Sequence, residues 1–179
     1  MNERDARESA GRDDYRDEVR RVAATLRDLH KALIDLAKAE YEQRNGPVGG
    51  PSQLLNLVMF DPAFGWMHVL SELMVDIDEL LDVEELSSRD AAAVRFEVER
   101  LISRSEGDAL PFTRNYVDAL QTDPDLVIEH GKVRRALAAL PAPEEAPERP
   151  HGEVRSEWSQ RRTDARQRRL QNNRDKRVH

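Results

Sequence analysis

Residues 14–43, DYRDEVRRVAATLRDLHKALIDLAKAEYEQ, decide the fold class. Val19, Val22, Leu26, Leu29, Leu33 and Leu36 follow one another at alternating spacings of three and four, which puts them on one stripe of an α-helix. Ala23, Ile34, Ala37 and Tyr41 widen that stripe to the breadth of a helix packed in a globular bundle. The sequence NGPVGGP at residues 45–51 ends it, because glycine accepts left-handed backbone angles and proline cannot continue the hydrogen-bond ladder.

The rest of the chain repeats this grammar. Ser52 is placed to cap a short helix, SQLLNLVMF, which Asp61-Pro62 ends. Asp followed by Pro is a start signal, since proline lacks the N–H that would go unpaired in a first turn. A third helix is therefore expected over residues 62–82. SSRD at residues 87–90 opens a fourth, reaching residue 104, with Val94, Val98, Leu101 and Ile102 on its buried side. A short helix FTRNYVDAL follows, and Asp123-Pro124 starts a last one ending near Leu140. No stretch alternates with the period of a strand. The expected fold is all-α: a helical bundle of four to six helices with a long first helix, spanning residues 14–140.

Both ends read differently. Residues 1–13 are charged and expected to fray. Residues 141–152, PAPEEAPERPHG, form a Pro-rich linker. Residues 153–179 hold nine Arg/Lys and four Asp/Glu, a net of +5, and too few apolar anchors to order themselves alone, so a disordered, mobile basic C-terminal tail is expected. The whole chain carries −7, so residues 1–152 carry −7 − 5 = −12. An acidic body is not the footprint of a nucleic-acid-binding domain. The tail is the one segment that fits phosphates: Arg161, Arg162, Arg166, Arg168 and Arg169 share a basic face if helical, with Trp158 available to stack on a base.

Composition removes several chemistries. The absence of cysteine excludes disulfides, thiolate zinc sites and cysteine nucleophiles. There is no nucleophile elbow, phosphate loop or dinucleotide fingerprint, and no His-x-x-x-His or Glu-x-x-His pair. No apolar leader follows Met1 and acids interrupt every apolar run, so no membrane span is expected and the chain reads as soluble and cytoplasmic. Arginine outnumbers lysine 24 to 4, a bias of GC-rich bacterial genomes.

Five histidines remain to be placed. On a wheel of the third helix, Trp66, Met67, Leu70, Leu73, Met74, Ile77 and Leu80 share one arc, while His68, Glu72 and Glu79 lie opposite. Phe64 and Val75 fall on that far side too, which implies another element covering it and His68 half-buried. His30 falls inside the stripe of the first helix, between Leu26 and Leu33. His130 falls beside Leu126, Val133 and Leu137. Interior imidazoles need a hydrogen-bond partner or an ion, so His30 and His130, with His68 or Glu40, are the candidate metal ligands, against the plainer reading of satisfied core histidines. Asp61-Pro62 with His68, and Asp123-Pro124 with His130, form an internal echo that common helix-opening chemistry explains.

Residues 61–82, DPAFGWMHVLSELMVDIDELLD, and 112–137, FTRNYVDALQTDPDLVIEHGKVRRAL, resemble parts of a group of small, uncharacterised bacterial all-helical proteins. In these a DP-x-F-x-W segment recurs beside an LSEL-type helix. The resemblance covers residues 28 to 140 and implies a self-contained helical domain, with no activity or ligand attached. The expected function is a non-enzymatic interaction or scaffold protein acting through protein–protein contacts with an unidentified partner or as a homodimer, without a cofactor. The alternatives are a bundle that holds a metal through its histidines, and a nucleic-acid-associated protein using its tail.

Overall fold

The computed structural model describes residues 15–83, 86–103, 111–142, 156–158, 160 and 163. Among these there is no strand, and residues 156–158, 160 and 163 are helical in addition to seven helices with full bounds: α1 (Arg16–Asn45), α2 (Pro51–Phe60), α3 (Pro62–Gly65), α4 (His68–Leu81), α5 (Ser88–Ile102), α6 (Pro111–Thr122) and α7 (Pro124–Leu137). The fold is all-α with a long first helix. None of its helices is long and apolar enough to cross a membrane, among the described residues. The frayed N-terminus, most of the Pro-rich linker and nearly all of the basic tail expected from the sequence lie outside the described residues.

α1 is the spine, 30 residues and so about 45 Å long. It packs chiefly on α7 and α4, with α3 against its second half. Val19, Val22, Leu26, Leu29 and Leu33 of its stripe are fully buried. Replacing one of them, Leu26 for instance, by alanine costs about 2–5 kcal/mol through lost burial and an unfilled cavity. Three pairings fix α4 antiparallel to α1. Arg16 donates to the Leu81 and Val83 carbonyls at the end of α4. Arg27 meets Asp78 at 2.6 Å. His30 meets Ser71 at 3.0 Å.

The local start signals act as their chemistry dictates. The Asp61 side chain accepts from the Ala63 N–H, and Asp123 accepts from the Asp125 and Leu126 N–H groups, each ahead of a proline in the first turn. Ser87 and Asp90 form a reciprocal capping box on α5. α2 differs in detail: it starts at Pro51 behind Gly50 rather than at a Ser52 cap. Gly50 has φ +138° and Gly46 has φ +85°, so the turn that reverses the chain between α1 and α2 runs through backbone angles favouring glycine at both positions.

One expected helix is broken. Residues 62–82 divide at Trp66 and Met67 into α3 and α4. Gly65 weakens helical continuity there, and burial of two bulky side chains decides the outcome. A straight helix would aim Phe64 at the wet side; the break turns it inward to 0% exposure, 6.1 Å from the Tyr41 ring. Phase extrapolated from α4 thus failed for Phe64, and Val75 is 56% exposed rather than covered among the described residues.

Trp158 is 2% exposed and belongs to the hydrophobic core. Its ring is a core anchor here, and from this position it does not offer a face to a base.

Candidate functional site

α2 is the anomaly of the surface. The chain is 35% charged, yet residues 45–60 hold no charged side chain. None of the residues of α2 is fully buried. Leu54, Leu57 and Val58 lean on the core with one side of the helix. Leu55, Met59 and Phe60 point outward at 62%, 54% and 77% exposure. Ser52 and Asn56 are exposed on that same outward side. Apolar side chains clustered on an uncharged helix are what protein contact surfaces look like, whereas single exposed apolar residues are ordinary. The other exposed apolar pair, Val127 and Ile128 on α7, is flanked by Asp125 and Glu129, and Val75 adjoins Asp76.

The helix is tied down at both ends. Val48 N–H donates to Glu42 Oε1 at 2.9 Å, and Gly49 N–H to Gln53 Oε1 at 2.7 Å. At the other end His68 donates from Nε2 to the Val58 carbonyl at 2.8 Å, one of the last-turn carbonyls that the helix itself leaves unpaired. His68 is therefore exposed rather than half-buried, with a backbone partner.

His30 and His130 are half-buried, each with a hydroxyl partner. His30 Nε2 shares its hydrogen bond with Ser71, and burial followed by the nearby His68 charge lowers its pKa. The Tyr116 hydroxyl and His130 Nδ1 share a hydrogen bond of 2.8 Å. Burial, then Arg134, lowers the His130 pKa, while burial raises that of Tyr116. Both partners are thus neutral at pH 7. They end an aromatic file: Trp66 against Phe112 at 5.7 Å, Phe112 stacked on Tyr116 at 5.3 Å, and Tyr116 tilted on His130 at 5.9 Å.

The four candidate metal ligands are not drawn into one set. Glu40 is ten residues from His30 on one straight helix, about 15 Å along the axis. It is exposed and faces Arg44 at 3.9 Å instead. No group of three or more His, Asp or Glu able to hold a metal exists among the described residues. Arg161, Arg162, Arg166, Arg168 and Arg169, the basic face expected of the tail, lie outside the described residues.

A cleft of about 580 Å³ opens between the second half of α1, α3 and α6. Glu40, Asp61 and Asp118 reach its walls, with Tyr41 and Trp66 among its apolar groups. Asp61 is occupied in capping α3 and Glu40 faces Arg44. Two of the three carboxylates thus have structural partners, and the lining forms no nucleophile–base pair.

Periodicity placed His30 and His130 inward, misjudged His68 and passed over α2. The uncharged run at residues 45–60 was the available signal. No protein-family model, no curated protein and no solved structure matches this chain.

Proposed function

We propose that this chain is a non-enzymatic helical interaction protein of the bacterial cytoplasm, acting through protein–protein contacts that α2 makes. The observation that carries this reading is the exposure of Leu55, Met59 and Phe60 on a helix free of charge, in a chain whose residues 1–152 carry −12. Leaving such a surface in water forgoes about 25 cal/mol for each Å² of apolar area that a partner would cover. The two small polar groups on this face, Ser52 and Asn56, bring no charge to desolvate, so covering it carries little electrostatic cost. The histidines support the same reading, since hydroxyl or backbone partners already satisfy His30, His68 and His130.

A photo-activatable cross-linking residue at position 55 tests the proposal in cells. Discrete protein adducts are expected from position 55 and not from position 72, an exposed site on α4. No adduct at position 55, or the same adducts from both positions, contradicts it.

A further inference from the structure

We propose that the cleft between α1, α3 and α6 binds a small organic cation of the linear aliphatic polyamine class. The site is separate from the outward face of α2, because no residue of α2 lines the cleft. The two readings therefore stand or fall independently.

Small side chains keep the cleft open. α1 packs on α7, α4 and α3, whereas α6 packs on α5 and α7. Ala37 of α1 and Ala119 of α6 both line the gap left between them, and neither side chain is long enough to close it. The resulting volume of about 580 Å³ lies within the range of pockets that hold small ligands.

The walls combine two chemistries. Tyr41, Trp66 and Leu36 supply aromatic and apolar surface. Neither ring is loose: Tyr41 lies 6.1 Å from Phe64 and Trp66 lies 5.7 Å from Phe112, both partners being buried. Such rings suit methylene chains and, over their faces, cations. Glu40, Asp61 and Asp118 come from three different elements and face one Arg44, a net of −3 + 1 = −2. Capping α3 engages the Asp61 carboxylate without neutralising it. The Glu40–Arg44 pair is long at 3.9 Å and exposed at both ends, so it offsets little of the charge. The Asp118 carboxylate has no partner among the described residues.

Distribution of that charge selects the ligand. The three carboxylates do not converge into a group able to hold a metal ion, among the described residues. A point charge therefore suits the cleft poorly. Several ammonium groups spaced by methylenes match it in both respects, the charges meeting separate carboxylates while the chain lies on Tyr41, Trp66 and Leu36. Residues 1–152 carry −12, and that field raises the local concentration of any cation.

Isothermal titration of the full chain with spermidine, at about 50 mM salt to limit screening, tests the proposal. Saturable 1:1 binding is expected, with a dissociation constant of roughly 10–100 µM. Asp118→Asn is expected to weaken it at least about fivefold. Glu72→Gln removes the same charge from the exposed side of α4 and is expected to leave it unchanged. Ala119→Leu fills the gap without altering charge and is expected to abolish binding. Should that variant fail to fold, Asp118→Asn, at an exposed position, still decides. Equimolar Mg²⁺ is expected not to displace spermidine. The proposal is overturned by the absence of saturable binding, or by equal weakening in Asp118→Asn and Glu72→Gln. Undiminished binding to folded Ala119→Leu also overturns it. So does displacement by equimolar Mg²⁺, which would reduce the effect to a diffuse counterion cloud.

Discussion

The His68 imidazole bonds the Val58 carbonyl at 2.8 Å, and this contact joins the last turn of α2 to the first turn of α4. α2 buries none of its side chains fully, so few interactions oppose its local opening. His68→Ala removes one hydrogen bond of about 1 kcal/mol. Amide exchange in the second half of residues 51–60 is expected to accelerate about five- to tenfold, while the Tm of the whole protein barely moves. An equal acceleration throughout the core would show that His68 supports the whole fold instead.

Tyr116 and His130 are expected to behave as a structural pair. Tyr116→Phe keeps the stack on Phe112 but deprives His130 Nδ1 of its hydrogen-bond partner. A loss of about 1–2 kcal/mol in denaturant-measured stability is expected, with α-helical circular dichroism intact. No loss would mean that water replaces the phenol without cost.

The two half-buried imidazoles make stability depend on pH. Burial holds the His30 and His130 pKa values below 6.5 in the folded protein. The unfolded chain therefore takes up protons first as pH falls. Their contribution is fully present above about pH 6.5 and is lost as pH drops through that value toward the folded-state pKa values. The denaturation midpoint is expected to fall between about pH 7 and about pH 5.5, and the His30→Gln, His130→Gln double variant to show a flatter profile. A profile unchanged by that double variant would assign the slope to carboxylates.

Trp158 makes the C-terminal segment part of the core. Trp158→Ala is expected to cost about 3–5 kcal/mol, the usual consequence of deleting a buried indole. Ending the chain after residue 142 should destabilise the bundle by a comparable amount. The wild-type fluorescence should be blue-shifted relative to either variant, since Trp66, the only other tryptophan, is only partly buried. Stability unchanged in both proteins would mean that Trp158 adds nothing to the core.

Those elements whose cause is local were legible in the sequence. The stripe of α1, the Asp-Pro openings of α3 and α7 and the Ser87–Asp90 capping box each depend on residues within a turn of one another, and each formed as expected. Phe64 was misplaced because its direction depends on a break at Trp66–Met67 that packing against Tyr41 favours across the fold. Trp158 was read as available to stack on a base because the composition around it is basic, yet it is buried in the core. Periodicity did place His30 and His130 inward. Their partners, Ser71 and Tyr116, come from other helices, and no spacing along the chain announces them. The outward face of α2 was not assigned at all, since only three-dimensional exposure separates Leu55 from Leu54.

The most direct test of α2 as the contact surface compares photo-activated cross-linking in cells from position 55 with that from position 128, the exposed apolar site on α7. Discrete protein adducts are expected from position 55 and not from position 128. No adduct from position 55, or the same adducts from both positions, would contradict the account.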